Sequence, residues 1–300
     1  MEFLLPNCKE EDGNGKLTEE RPVVIVSSKW NTVRHRMNST RLLLLVPVLG
    51  VGLFLSLPLV AIFLRVLPAD GAWAALHQPV VAEALWLSLL TSLCSLGLAL
   101  ALGTPLAYLL ARYRFPGAAL VDTLIDLPMV LPPTVAGVAL LMTFGRRGIL
   151  GSYLDLFGIH IAFTTLAVIL AQSFVSIPFY IRAARAGFQS VDQELERVAY
   201  TLGHSHLSTF VRVTIPLAFP ALLSGAVMTW ARALGEFGAT IMFAGNLIGR
   251  TQTMPLAIYT AMESDLTVAL VLSSILAIVS FSVLFSVRYI LHRSPFGVYA

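Results

Sequence analysis

The chain contains five long stretches without a charged side chain and a sixth that is interrupted only twice. The uninterrupted stretches cover residues 42–64, 84–111, 127–145, 156–181 and 266–287. The sixth covers residues 213–249, where Arg232 and Glu236 are the charged residues. A helix needs about 20 apolar residues to cross the hydrocarbon core of a bilayer. The pattern therefore predicts an all-α membrane protein of six transmembrane helices, with the lipid bilayer as its surroundings.

The composition supports this prediction and excludes an ordinary soluble domain. Only 12% of the 300 residues are charged and the mean hydropathy is +0.80, whereas about a quarter of the residues of soluble domains are charged. The formal net charge is only +3, and we expect no nucleic-acid partner. Cys8 and Cys94 are expected to be unpaired, and we expect no metal site, since His204 and His206 diverge on a helix.

Arginine and lysine residues are distributed unequally between the connections of the six predicted spans. With the N-terminus inside, twelve of them lie on the inner side and four on the outer side. The inner residues are Lys29, Arg34, Arg36, Arg41, Arg112, Arg114, Arg182, Arg185, Arg197, Arg212, Arg288 and Arg293, and the outer ones are Arg65, Arg146, Arg147 and Arg250. Positive residues favour the cytoplasmic side. We therefore expect a multi-pass protein of the plasma membrane with both termini in the cytoplasm.

Three regions differ in composition. Residues 1–40 form a polar tail that we expect to be disordered, and Met37 is a candidate for the true start. Residues 41–292 form the transmembrane domain, and 293–300 a short C-terminal tail. Ala72-Trp73-Ala74 offers a signal-peptide cleavage pattern, but the preceding apolar run is longer than a typical signal peptide's. The first span is therefore expected to be retained.

The longest predicted cytoplasmic connection, from Arg182 to Arg212, contains a short amphipathic helix. A capping-box pattern at Ser190 to Gln193 predicts its start, and Gly203 predicts its end. Its apolar stripe consists of Leu195, Val198, Ala199 and Leu202. Ser205 is expected to cap a second short helix. Pro216 and Pro220 mark the entry to the fifth span.

The stripe on this helix requires a surface to cover it. An interfacial helix lying on the membrane is one alternative. Such helices are rich in Lys, Trp and Phe, whereas this one has none and carries Asp192, Glu194 and Glu196. The pattern therefore favours docking to another protein.

This connection resembles the cytoplasmic motif of permease subunits of ABC importers, E-A-A-x3-G-x9-I-x-L-P. Ala199, Gly203 and Pro216 match it, and Val213 and Ile215 stand at its Ile and Leu positions. Arg197 stands at the position of the leading glutamate, and Val198 at that of the first alanine. The resemblance implies a type I ABC importer fold with a coupling helix between helices 4 and 5, seated on a separate ATPase. It implies a coupling surface formed by Asp192, Glu194, Leu195, Glu196, Val198, Ala199, Leu202, Gly203 and Pro216.

The chain itself lacks a nucleotide-binding loop. A P-loop requires G-x4-G-K-[ST], and the Gly-Lys pair at Gly15-Lys16 is followed by Leu17 and lacks the upstream glycine. We therefore expect no cofactor on this chain and no catalysis by it. ATP and Mg²⁺ would be bound by the partner ATPase.

Further segments resemble permeases for oxyanions, and the likeness covers about residues 81–291. Residues 126–134 and 231–240 are similar to molybdate, tungstate and sulfate permeases, and residues 144–148 and 249–255 are most similar to molybdate permeases. The resemblance implies a homodimer, two ATPase subunits and an extracytoplasmic molybdate-binding protein. Molybdate is ranked first and sulfate or thiosulfate second.

Arg232 and Glu236 are expected to pair within the fifth span, because a lone arginine in a bilayer costs about 2.5–3.5 kcal/mol and the two residues are one helical turn apart. They either line the translocation path or form a static pair that pins the bundle. Prolines are expected to interrupt the third span. The candidate path or gate residues are Arg232, Glu236, Thr240, Pro132, Pro133 and Thr134.

Two functions of other classes compete with the importer. A secondary transporter needs buried ionisable residues for ion coupling, and Arg232, Glu236 and Asp126 are few candidates. It also leaves the amphipathic connection unexplained. An intramembrane enzyme would need a reactive pair within the spans, which the sequence does not show. Neither alternative requires an ATPase.

Overall fold

A computed structural model describes residues 28–69 and 71–293, and these residues form thirteen α-helices and one π-helical segment. The helices are α1 (Ser28–Val66), α2 (Ala72–Leu76), α3 (Pro79–Arg112), α4 (Ala118–Val130), α5 (Pro133–Phe144), α6 (Gly151–Leu156), α7 (Thr165–Ser190), α8 (Gln193–Thr201), α9 (His206–Thr209), α10 (Ile215–Leu234), α11 (Gly238–Phe243), α12 (Met254–Ser264) and α13 (Leu266–Arg293). The π-helical segment, Phe210–Thr214, joins α9 to α10.

The chain divides into two compact units, Met1–Pro58 and Leu59–Ala300. The described part of the first unit is helical from Ser28 onward. Residues 28–40, assigned above to a disordered tail, are therefore helical. Cys8 and the remainder of that tail lie outside the described residues, as do residues 294–300. The second unit contains the sites discussed below.

Within the described residues, five helical segments are long and apolar enough to cross a bilayer, and a bent pair of helices could supply a sixth span. The five are Leu45–Val66, Pro79–Arg112, Thr165–Ser190, His206–Leu234 and Leu266–Val287. The bent pair is α4 and α5, whose axes are bent by 115° relative to each other at the break. The all-α prediction is therefore confirmed with five to six candidate spans, and the number is six if the bent pair forms one broken span.

Three predicted boundaries were wrong. The third span begins at Ala118 and breaks at Leu131, where the backbone is extended before Pro132, because a residue preceding proline disfavours the helical region. Pro128 lies inside α4 without ending it. The fourth span begins at Thr165 instead of at residue 156. The fifth ends at Leu234 instead of continuing to residue 249.

Helices α3, α7 and α10 pack together at the centre of the second unit, largely through small residues. Ala99, Gly103 and Ala107 are buried at four-residue intervals along α3. A Cβ atom at Gly103 would lie 2.8 Å from Tyr180 Cδ1, and one at Gly225 of α10 would lie 2.6 Å from the Ala183 Cβ. Small residues allow close backbone approach, which drives helix association where no water is present.

Candidate functional site

The predicted amphipathic helix is α8, and its two ends are fixed by local hydrogen bonds. Asp192 is the N-cap, and its Oδ1 accepts a 2.9 Å hydrogen bond from the Glu194 N–H. The prediction that Ser190 caps this helix was wrong, because Ser190 ends α7 and its hydroxyl donates to the Gly187 carbonyl. Gly203 follows with a φ of 86°, as expected for a helix-ending glycine. α8 is therefore a separate element between two spans.

The apolar stripe of α8 is largely uncovered. Leu195, Val198 and Leu202 are 48%, 55% and 75% exposed, whereas Ala199 is buried. Leu207, in the neighbouring α9, is 73% exposed. Two large apolar side chains of the nine-residue helix and a third at its C-cap, Leu202, are thus available to a partner.

Glu196 lies on the opposite, buried side of α8 and attaches the helix to the rest of the chain. Its Oε1 lies 2.7 Å from Arg112 Nη2 and accepts a 2.9 Å hydrogen bond from the Thr214 hydroxyl. The side chains of Arg112 and Glu196 are only 7% and 8% exposed. Arg112 also donates to the carbonyl of Val191 at 3.0 Å. We call Arg112, Glu196 and Thr214 the clamp.

The clamp connects α8 to the ends of three elements that lead into the membrane. Arg112 ends α3, Val191 follows α7, and Thr214 ends the π-helical segment that leads into α10. Pro216 lies in the first turn of α10. A helix of nine residues is too short to be stable in water alone. The orientation of α8 therefore depends on the clamp.

The surroundings of the clamp are apolar and aromatic. Tyr108 packs edge-on against Phe188 and Phe210, with ring centroids 5.5 and 4.7 Å apart. Burial, followed by the nearby Glu196 carboxylate, raises the pKa of the Tyr200 phenol. Tyr200 is therefore neutral beside the clamp.

A second candidate site forms where two broken helices meet. The first break separates α4 from α5, and the second, at 235–237, separates α10 from α11. A Cβ atom at Gly238 would lie 2.8 Å from Pro133 Cβ, and one at Gly137 would lie 2.7 Å from the Ala239 carbonyl oxygen. The two breaks are thus in direct contact, and we call this contact the junction.

Arg232 and Glu236 bridge the second break. Arg232 Nη1 lies 2.7 Å from Glu236 Oε2, and the side chains are 30% and 2% exposed. Glu236 lies beyond the end of α10, and its Oε1 accepts a 2.8 Å hydrogen bond from the Ala239 N–H at the start of α11. The predicted pair is present, but Glu236 is not part of the same helix. It connects the last turn of one helix to the first turn of the next.

The other predicted gate residues occupy different environments. Pro132, Pro133 and Thr134 are exposed at the start of α5. Thr240 is fully buried in α11, and its hydroxyl has no hydrogen-bond partner among the described residues. The junction therefore brings Pro133 close to Gly238, two residues after Glu236, whereas Thr240 is enclosed within the protein.

The contact at Gly137 yields a stability prediction. In Gly137→Ala, the new methyl group would meet the backbone of Ala239, which cannot move away cheaply. Overpacking costs about 1–3 kcal/mol, so we expect the thermal midpoint of the solubilised permease to fall by about 3–10 °C. Gly97→Ala is the matched control, because a Cβ atom at Gly97 of α3 meets nothing within 4 Å. Equal midpoints for the two variants would contradict this packing.

A charged cluster between α4 and α7 was missed in the sequence. Arg185 Nη1 lies 2.5 Å from Asp122 Oδ1, and Arg182 binds Asp126 through two hydrogen bonds, of which the one from Nε is 2.7 Å long. Aspartates four residues apart and arginines three residues apart each share a helix face. That spacing is visible in the sequence, but the pairing of the two helices is not.

No group of three or more His, Cys, Asp or Glu residues within 28–69 and 71–293 could hold a metal ion. His204 instead lies 3.1 Å from the Ser208 hydroxyl, and His206 packs on the ring of Tyr200.

The sequence of this chain is similar to those of known transport permeases. The family of the binding-protein-dependent transport system inner membrane component matches residues 103–294. The chain is 43% identical over 251 residues to the molybdenum transport system permease protein ModB of Mycobacterium tuberculosis, covering 84% of this chain and 94% of that protein. It is 36% identical to the sulfate transport system permease protein CysT of Salmonella typhimurium, and the match covers 83% of this chain and 91% of that protein.

One solved structure has a similar fold. A chain of a bacterial ABC transporter involved in the import of alginate matches with a TM-score of 0.69 at 16% identity, covering 90% of this chain and all of that one. At this identity the likeness concerns the fold, which is that of a type I ABC importer permease.

Proposed function

Because the chain belongs to the family of the binding-protein-dependent transport system inner membrane component, we propose that it is the permease subunit of an ATP-driven importer for molybdate. The relatives at 43% identity that cover most of both chains support this substrate. The observation that carries the mechanism is α8, with its exposed apolar stripe and its buried clamp.

In the proposed assembly, two copies of the chain form the path, and one ATPase subunit docks on each α8. An extracytoplasmic molybdate-binding protein delivers the anion to the opposite face. The α8 side faces the cytoplasm, in agreement with the excess of arginines on that side. ATP and Mg²⁺ are bound by the ATPase subunit, which hydrolyses the ATP, and this chain takes no part in that reaction.

The clamp explains how α8 would transmit motion. Movement of the ATPase displaces Leu195, Val198 and Leu202, and the Glu196–Arg112 contact carries the displacement to the end of α3. Thr214 carries it to the entry of α10. Since α3, α7 and α10 pack tightly, they move together. The result is a switch between inward-facing and outward-facing states.

At the other end of α10, the junction is the proposed gate. Separating the two breaks would open a path between Pro133 and Gly238. Arg232 is 30% exposed and can attract a dianion, whereas its pairing with Glu236 reduces that attraction. The pair therefore favours brief passage of an anion over tight binding.

The test is uptake of radiolabelled molybdate into cells that produce this chain with its ATPase and binding protein. We expect ATP-dependent uptake that excess tungstate blocks and excess sulfate does not. The control is an ATPase variant that binds but does not hydrolyse ATP, which should abolish uptake. Uptake that continues with this variant would support a secondary transporter and contradict the proposal.

Sulfate is the second candidate substrate, favoured by the 36% identity to a sulfate permease. Uptake of molybdate that is abolished by excess sulfate, together with ATP-dependent uptake of radiolabelled sulfate, would transfer the substrate assignment to sulfate. The importer architecture would be unchanged in that case.

A further inference from the structure

A cavity of about 410 Å³ lies near the N-terminal end of α7, which is the end opposite to α8. Its walls include Arg146, which follows α5, and Arg250, which precedes α12. The apolar part of the wall includes Phe144, Ile161 and Phe163. None of these residues belongs to the clamp or the junction.

The two arginines bring positive charge to this cavity, and the Glu83 carboxylate lies near the Arg250 loop, with its Oε2 3.5 Å from the position of a Cβ atom at Gly249. Both arginines are exposed, and neither forms an ion pair with an acidic residue in the described part of the chain. His160 also lines the cavity, and its Nδ1 lies 2.9 Å from Asp155 Oδ1. The Asp155 carboxylate thus contacts His160, and it forms no ion pair with either arginine.

The backbone around the cavity is held in place. The Thr165 hydroxyl donates a 2.9 Å hydrogen bond to the Arg250 carbonyl, which ties the Arg250 loop to the first residue of α7. Phe163 has a φ of 62° and is the one non-glycine residue with positive φ among the described residues. Such a conformation persists only where the surroundings enforce it, and it occurs preferentially at functional sites.

Two further features favour an anion here. Residues 161–164 lead directly into the 26-residue helix α7, whose N-terminal end carries partial positive charge. The apolar wall has a low dielectric constant and concentrates the field of the arginines within the cavity. Positive charge, a helix N-terminus and apolar walls thus coincide at one place.

The two arginines also come from the two loops that resemble molybdate permeases most, at 144–148 and 249–255. These loops are distant in sequence, and the fold brings their arginines to one cavity. We propose that this cavity is a binding site for a small tetrahedral oxyanion, which gathers the substrate at the face opposite to α8 before it enters the path. The substrate and the direction of transport rest on the proposed function.

The site would be weak and sensitive to salt, because exposed charges are screened within about 10 Å at 0.1 M salt. The test is equilibrium dialysis of radiolabelled molybdate against the transporter assembled with its ATPase in nanodiscs, without binding protein and at low ionic strength. Saturating ADP and Mg²⁺ occupy the nucleotide sites. We expect the double variant Arg146→Gln and Arg250→Gln to lose about five- to tenfold in affinity.

Arg147→Gln is the matched control, because Arg147 is adjacent and exposed but does not line the cavity. It should change the affinity less than twofold. An equal loss of anion affinity in both variants would show that the effect comes from the general positive charge of this surface, and it would overturn the site. The double variant could instead keep its anion affinity and bind the binding protein more weakly. That result would indicate that the arginines pair with carboxylates of the binding protein, and it would also overturn the anion site.

The outcome for the site is independent of the outcome for the function. Dialysis uses no ATP hydrolysis, so anion binding that depends on Arg146 and Arg250 would stand even if cells showed no uptake. Conversely, if the wild type shows normal uptake but binds no anion in dialysis, the proposed importer function stands and the proposed anion site is contradicted.

Discussion

Replacing Glu196 by Gln is expected to lower ATP-driven uptake to a tenth or less of the wild-type rate. The substitution leaves Arg112 with 7% of its side chain exposed and no anionic partner at 2.7 Å. Removing one member of a buried ion pair costs about 3–5 kcal/mol. That cost exceeds what a nine-residue helix can offset, so α8 should lose its fixed position. ATP hydrolysis by the assembled complex should then respond less to the loaded binding protein.

The measurement compares uptake and ATPase stimulation in the same membranes, which separates loss of coupling from loss of protein. Glu194→Gln is the matched control on the same helix, because its pair with Arg197 is 66% exposed on both sides and contributes little. Glu194 belongs to the predicted coupling surface but holds no buried cation, so we expect this variant to lower uptake clearly less than Glu196→Gln. Equal effects of the two substitutions would show that the buried contact has no special role.

A double variant tests whether Glu196 acts through Arg112. In Glu196→Met with Arg112→Met, no buried charge is left unpaired, and apolar replacements of buried ion pairs are often tolerated. We expect this variant to recover a large part of the stimulation that Glu196→Gln loses. A double variant that is as defective as the single one would instead indicate that Glu196 contacts the ATPase directly.

The second large effect is expected at Arg232. In Arg232→Gln, the Glu236 carboxylate is left without its cation while only 2% exposed, directly at the second helix break. The hydrogen bond to the Ala239 N–H would then hold an uncompensated charge. With a cost of about 3–5 kcal/mol for the broken pair, we expect uptake to fall more than tenfold.

The experiment measures uptake per assembled transporter, with the ATPase recovered by pull-down as the measure of assembly. Arg232→Lys is the control that keeps the cation and should retain more uptake than the Gln variant. Normal uptake by Arg232→Gln would exclude a role in the path. Loss of assembly together with uptake would support the alternative of a static pair that pins the bundle.

Much of the architecture could be predicted from the sequence, because length and apolarity suffice for it. A charge-free run of about 20 residues has few alternatives to a membrane helix. The sixth predicted span begins at residue 266, as α13 does, and the helix continues beyond residue 287 to Arg293. Gly203 and Ser205 terminate and start helices for local reasons, and both were assigned correctly.

Boundaries that depend on competing local signals were less predictable. The proline-rich run from Pro128 to Pro133 offered three positions for a break, and only the extended backbone at Leu131 shows which was used. Ser190 was predicted as the cap of α8, but α7 continues to Ser190, and Asp192 caps α8 instead. The choice depended on where the preceding helix ended.

The sequence by itself determined the apolar spans, the α8 helix and the presence of a charged pair near the end of the fifth span, because each follows from the pattern of neighbouring residues. Only the tertiary structure decided that Glu196 faces inward to Arg112, 84 residues away in sequence. It also decided that the two broken helices meet at Gly238 and that Arg146 and Arg250 share a cavity. These contacts join residues distant in the chain, and their partners are selected by packing between helices, which local periodicity does not encode.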